Sequence, residues 1–207
     1  MKFSIIIPAH NAENHIKKAL DSISYQTYKD YELIVVCDRC TDNTEQIVRQ
    51  YTDKVFTVNF NRDGLTRNVG IDNATGDWIL FMDDDDWWLH EFVLDQLSKK
   101  LDEVGDNIDL LCFSFIWKDI RYCSPNSLRG ELYPAVWNKC WRRSIIGSIR
   151  FPDIYSVSDW QFHCAVMRKN PRIYLWDMPM YYYNYLRKGS ISDEMGRTVE
   201  ETKRLLR

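Results

Sequence analysis

The chain has 207 residues, 45% hydrophobic and 28% charged, ordinary globular values that exclude a disordered or fibrous protein. Lys and Arg number 27 against 30 Asp and Glu, a formal net charge of −3. Such a balance supplies no global basic field, so nucleic acid is not expected as a partner. The aromatic content is 14%, with 8 Trp, 12 Tyr and 9 Phe, enough stacking surface to serve a core, a ligand or both.

The first half alternates short β-branched runs with amphipathic segments. Residues 3–7 read as a buried strand ended by Pro8, which has no amide to continue a ladder. A helix over 12–24 follows, with Asn11 as its N-cap and Ile16, Ala19, Leu20 and Ile23 on one face. Residues 33–37 form the next strand. Asp42 and Glu45 give a capping-box-like start to a helix with Ile47 and Val48 inside. A strand at 54–58, a helix at 64–74 opened by a glycine turn and a strand at 78–82 complete this half. The last strand runs straight into Asp83-Asp84-Asp85-Asp86.

Farther on, a helix is expected at 91–101 and a long strand at 109–117. A helix at 158–168 is expected to turn Trp160, Cys164 and Met167 inward, and extended segments follow at 172–176 and 180–186. No repeat, low-complexity linker or composition break divides the chain, so residues 1–207 are expected to form one domain. No secretion or membrane-spanning segment is read: Pro8 arrives too early for a signal core, and the apolar run from Leu110 to Trp117 is far short of the ~20 residues of a spanning helix. A cytoplasmic protein follows as the expectation. The six cysteines are then free thiols, mostly buried. Cys37 and Cys40 have redox-motif spacing, but no second ligand pair accompanies them.

Strands alternating with helices predict a parallel sheet covered on both faces. Right-handed crossovers line up the loops that follow the strands along the carboxyl edge, where open α/β sheets bind ligands. Residues 8–11, 37–39 and 83–86 should therefore converge. Four consecutive carboxylates repel one another. They are either a solvated loop or a site for a hard divalent cation, Mn2+ or Mg2+, held by oxygen ligands together with phosphate. Trp87 and Trp88 follow immediately, which is unusual for a solvated loop.

These blocks resemble the family 2 glycosyltransferases. The resemblance rests on FSIIIPAHN at 3–11, QTY at 26–28, VCDRCTDNT at 36–44, RNVG at 67–70, ATG at 74–76 and FMDDDD at 81–86, in the family's order and spacing. It implies the GT-A nucleotide-diphospho-sugar fold, α/β with a mainly parallel central sheet flanked by helices. Residues 1–90 would be the nucleotide-sugar-binding half and 91–207 the acceptor-binding half. By resemblance Pro8, His10 and Asn11 hold the nucleobase and ribose, Asp38 reads the base, and Arg67 faces the nucleotide or serves as a structural ion-pair partner. Asp83-Asp84-Asp85 is the Asp-x-Asp motif, with Asp85 the direct metal ligand and Asp83 and Asp84 at metal or ribose. Asp86 has no settled role. His10 stands where relatives often have Tyr, Cys37 where many have a first acid, and Ser158 where many have Glu.

In inverting relatives an Asp opening a helix in the second half is the general base, and Asp159 matches. An acid there also suits the helix dipole on its own account. Trp137, Asn138 and Lys139 resemble an acceptor-flanking stretch, and Trp137 is either a sugar platform or a core residue. Trp160 is a further candidate for sugar contact, whereas His163 reads as a satisfied structural histidine and the tyrosines at 181–185 as packing. Arg187, in a basic glycine-containing loop, is similar to a lid over the diphosphate. The expectation is an inverting, metal-dependent transferase moving sugar from a nucleotide-sugar donor, UDP-linked, to a saccharide or lipid-linked acceptor in surface-glycan synthesis. The basic tail at 203–207 admits peripheral membrane contact. A degenerate nucleotide- or glycan-binding module and a sugar nucleotidyltransferase are the alternatives. The latter lacks the glycine-rich loop that would hold a triphosphate.

Overall fold

The computed structural model describes residues 2–117, 121–124, 132–155 and 157–184. Arg187, its loop and the basic tail lie outside the described residues. The first half runs β1 (Phe3–Ala9), α1 (Ile16–Ser24), β2 (Tyr31–Asp38), α2 (Thr44–Val48), β3 (Val55–Val58), α3 (Asp63–Asn73) and β4 (Trp78–Phe81). The second runs β5 (Trp87–Trp88), α4 (Val93–Val104), β6 (Leu110–Trp117), β7 (Arg121–Cys123), β8 (Lys139–Arg142), α5 (Arg143–Ile146), α6 (Ser158–Met167) and β9 (Ile173–Tyr183).

The strands form one sheet in the order β3-β2-β1-β4-β8-β6-β9-β5, with β7 paired to β6. From β3 to β4 every pairing is parallel. Beyond β4 the sheet is mixed: β8 is antiparallel to β4 and β6, β9 is parallel to β6, and β5 is antiparallel to β9. The two expected extended segments at the C-terminal end are one strand, β9, with register shifts opposite Ser114.

The first strand runs past Pro8. Its pairing with β4 stops at Ile6 opposite Phe81, while pairing with β2 continues to Ala9 opposite Cys37. Pro8 thus lies where β1 has become an edge toward β4, and there a missing amide is tolerated. Asn11 does not cap α1. Its backbone is left-handed (φ 45°), and its side-chain oxygen accepts the Thr41 amide at 2.8 Å, tying the first loop to the second.

Side chains alternate between two cores, as period-2 strands covered on both faces require. Ile5, Ile7, Val35 and Leu80 pack under α1 and α4, while Ile6, Ile34, Val36 and Phe81 pack under α3 and α6. Helix α3 sits so close to β1 that a Cβ on Gly70 would lie 2.3 Å from Ile6 Cγ2. Helix α6 buries Phe162, His163 and Val166 and leaves Trp160 exposed. It is apolar on several sides, so the sequence period did not select the true inner face. Phe162 stacks on Phe151 at 4.0 Å and meets Phe81 edge-on, which anchors the helix N-terminus beside the end of β4.

At the amino edge Glu32 ties the strands together. Burial works against its charge, but Lys54, Ser4 and Thr75 hydrogen-bond the carboxylate and hold its pKa down to about 2, from 4.5. A depressed carboxylate stabilises the fold above the unfolded pKa and loses that contribution as pH falls. Glu32→Gln is therefore expected to lower stability by about 2 kcal/mol at pH 7 and progressively less as pH falls below 4.5, measured by urea denaturation across pH.

Candidate active site

The three loops meet at the carboxyl edge. The His10 ring donates from Nδ1 to the Asp38 carbonyl at 2.6 Å, and the His10 amide donates to Asp84 Oδ2 at 3.2 Å. Asp84 Oδ1 also faces His15 Nε2 at 3.3 Å. Asp38 itself turns inward. It is 5% exposed, Oδ1 accepts the Phe60 amide at 2.8 Å, and Oδ2 accepts the Arg62 amide at 3.1 Å and the Thr66 hydroxyl at 3.3 Å. Its carboxylate thus builds the turn into α3. Pro8 is buried within β1, whereas His10 and Asn11 are exposed at the edge.

Arg67 is the centre of the site. It is buried on α3 and ion-paired with Asp63 one turn before it, with Asp83 at 2.7 Å and with Asp159 at 3.5 Å. Of the two expected readings of Arg67, the ion-paired one is observed. Burial opposes its charge, but the carboxylates of Asp159, Asp63 and Asp83 outweigh that and raise its pKa well above the ordinary value. Three acids share one guanidinium, so the acids are under-compensated. Burial raises Asp83 to about 6 against the pull of Arg67, and Asp85 and Asp84 add repulsion. Burial likewise pushes Asp159 up to about 6, opposed by Arg67 and reinforced by Asp83 and Asp63.

Asp159 lies in the first turn of α6, two residues after Val157, a β-branched residue with left-handed backbone (φ 59°). Such a conformation stores about 1–3 kcal/mol and occurs preferentially at functional sites. Its Oδ2 accepts the Val136 amide at a long 3.5 Å, while its buried Oδ1 has no hydrogen-bond partner among the described residues. The carboxylate retains 27% exposure and can receive a proton from an incoming group.

The acid loop fits a hard cation. Asp83, Asp84 and Asp85 offer only oxygen donors, and their mutual repulsion is what a divalent ion would relieve. Among the described residues no three His, Cys, Asp or Glu side chains converge on one point, so the remaining ligands would come from substrate phosphate and water.

The acceptor-side candidates separate. Trp137 is 3% exposed, stacked on Tyr181 at 4.7 Å and edge-on to Phe115, and leaves no face for a sugar. Asn138 and Lys139 are wholly buried. Lys139 Nζ donates to the Tyr133 and Ala135 carbonyls and to Asn138 Oδ1, clamping the segment that carries the Val136 amide. Burial lowers its pKa to about 8. Trp160 is 47% exposed beside Asp159. His163 is not satisfied: its Nδ1 lacks a partner among the described residues, and burial first, then Lys139, lowers its pKa to about 4. Asp63 was missed in the sequence, although its spacing of four from Arg67 on one helix was a usable signal. His15 carried no such signal, because Asp84 lies 69 positions away.

Arg67→Met leaves three acids around an apolar side chain. Stability is expected to fall by about 3–5 kcal/mol at pH 7, the magnitude for an orphaned buried charge partner. The deficit should shrink as pH falls toward about 6, because without Arg67 the two acids Asp83 and Asp159 take up protons at higher pH than in the wild type, and denaturation midpoints at pH 7.5 and pH 5 measure it.

Comparison with known proteins agrees with this geometry. The Glycosyl transferase family 2 model matches residues 4–172. Glycosyltransferase GlyA of Streptococcus pneumoniae is 36% identical over 164 residues, covering 76% of this chain and 22% of GlyA. The Escherichia coli UDP-Glc:alpha-D-GlcNAc-diphosphoundecaprenol beta-1,3-glucosyltransferase WfgD is 31% identical over 153 residues, covering 70% of this chain and 57% of WfgD. The crystal structure of Staphylococcus aureus TarS 1-349 in complex with UDP-GlcNAc superposes with a TM-score of 0.79 at 28% identity, over 92% of this chain and 60% of that one. This chain therefore spans between about a fifth and three fifths of the length of these relatives. A GT-A fold with a mixed central sheet, and a sequence matched over residues 4–172, place the chain in glycosyl transferase family 2.

Proposed function

We propose that this chain is the catalytic domain of an inverting glycosyltransferase. It takes a sugar from a UDP-linked donor and adds it to an acceptor hydroxyl in surface-polysaccharide synthesis. The observation that carries the reading is the placement of Asp159, whose Oδ1 faces Arg67 at 3.5 Å without a hydrogen bond and is linked through it to Asp83 of the acid loop. Residues 1–90 bind the donor and 91–207 the acceptor. Support for UDP comes from relatives: a TarS structure contains UDP-GlcNAc, and WfgD is a UDP-Glc transferase.

In this reading His10 and Asn11, exposed at the edge, face the nucleoside, and Asp38 contributes by holding His10 and the turn at 60–62. Asp85 would hold Mn2+ or Mg2+, with Asp83 and Asp84 at metal or ribose, and the ion would act as a Lewis acid on the leaving diphosphate. The exposed part of the Asp159 carboxylate takes the proton of the acceptor hydroxyl as the acceptor oxygen attacks the anomeric carbon from the face opposite the diphosphate. One displacement with one base inverts the configuration. Trp160, exposed on the same helix turn, offers an indole face to the acceptor sugar. No helix among the described residues is long and apolar enough to cross a membrane, and work at the cytoplasmic membrane surface is part of the proposal.

Purified protein with Mn2+ and a panel of nucleotide-sugars plus acceptor glycans is expected to release UDP. Pyrophosphate release, or binding without turnover, would overturn the reading. Asp159→Asn is expected to lower kcat at least about a hundredfold while UDP affinity stays within about twofold. Since the base works ionised, kcat/KM of the wild type should rise with pH through about 6 and level off above it.

A further inference from the structure

Asp86 is the acid of the four-aspartate run that has no assigned task. It is wholly buried, whereas Asp83, Asp84 and Asp85 are half-buried. Its Oδ2 accepts the Tyr181 hydroxyl at 2.7 Å, and its Oδ1 accepts the Asn184 amide at 2.8 Å. The Tyr181 oxygen in turn accepts the backbone amide of Asp83 at 3.1 Å. The turn is closed by the Asp86 amide on the Asp83 carbonyl at 3.3 Å.

A phenol has a single proton. Because that proton is given to Asp86, the lone pairs of the oxygen are left facing the Asp83 amide, so the carboxylate dictates the polarity of the hydroxyl. The ring is placed independently of its hydroxyl: it is stacked on Trp137 at 4.7 Å with an interplanar angle of 8°, and Tyr181 pairs with Trp88 across β5 and β9. The acid loop, entering from β4 and leaving through β5, is thus pinned at its first residue by a side chain from β9. A carboxylate buried this deeply is expensive unless fully bonded, and here both oxygens are bonded inward.

We propose that Asp86 and Tyr181 are a positioning pair for the donor site. The pair fixes the backbone at Asp83, so that the side chains of Asp83, Asp84 and Asp85 face a divalent cation and diphosphate, and Asp86 is not itself a metal ligand. The inference rests on the donor-edge reading above. It predicts that the phenolic hydroxyl matters to cation affinity although it touches neither cation nor substrate.

The test compares wild type, Tyr181→Phe and Asp86→Asn by calorimetric titration of UDP with and without Mn2+, by the Mn2+ dependence of UDP release and by thermal melting. Tyr181→Phe is expected to weaken Mn2+-dependent UDP binding about tenfold and to raise the activating Mn2+ concentration in parallel, the effect of losing an outer-shell support. Metal-free UDP affinity should stay unchanged. Asp86→Asn, whose amide reverses the polarity of the hydrogen bond, should act in the same direction. It also serves as the second reading should the phenylalanine variant fail to fold. A lowered melting temperature with wild-type Mn2+ constants in both variants would show a purely structural pair and overturn the proposal. Loss of Mn2+ binding in Asp86→Asn with Tyr181→Phe unaffected would make Asp86 a ligand and overturn it too. A wild type without Mn2+-dependent UDP binding would instead refute the donor-edge reading and the pair's role together.

Discussion

One guanidinium holds the two halves of the site together. Arg67 comes from α3, Asp83 from the end of β4 and Asp159 from the start of α6, and the ion pairs among them cross from the parallel half of the sheet to the mixed half. The arrangement depends on a neutral feature beneath it. Gly70, one turn after Arg67, lets α3 lie against Ile6, so Arg67 is sunk into the floor of the cleft, where water does not screen it. Arg67 cannot lose its proton in this setting. The acids around it can gain protons, and the net charge of the cluster is adjusted on their side.

The parallel half was legible because β1, β2 and β4 are apolar on both faces and α1 has one clear stripe. Element order and the convergence of the three loops followed from period and topology. The second half was less legible for physical reasons that particular residues show. Helix α6 carries Trp160, Phe162, Val166 and Met167 on different sides, so no single face stood out. The irregular pairing opposite Ser114 made β9 look like two segments.

The site residues divide along the same line. Positions defined by a place in the chain, such as Asp83 and Asp159, were found where motif and topology put them. Positions defined by which way a side chain turns were not. Asp38 and Asp86 occupy loop positions like their acidic neighbours, yet both fold inward to bond backbone amides. Of the two readings of Trp137, sugar platform or core residue, the stacked core ring is observed, and Lys139, matched to an acceptor-flanking stretch, is a buried clamp. Side-chain direction is settled by long-range partners, which a local pattern does not contain.

The distance between Glu32 and the acid cluster has a consequence for how the protein trades stability against activity. At the amino edge the Glu32 carboxylate favours the folded chain only while it is ionised, so its support fades below pH 4.5. At the carboxyl edge Asp83 and Asp159, both raised to about 6 from 3.8, favour the folded chain while they are protonated, and that support fades as pH rises through 6. Together these groups support the folded state best at about pH 4, where the proposed base is protonated. At neutral pH the ionised Asp159 that the proposed reaction requires is held at the expense of stability, so conditions chosen to store the protein and conditions chosen to run it differ.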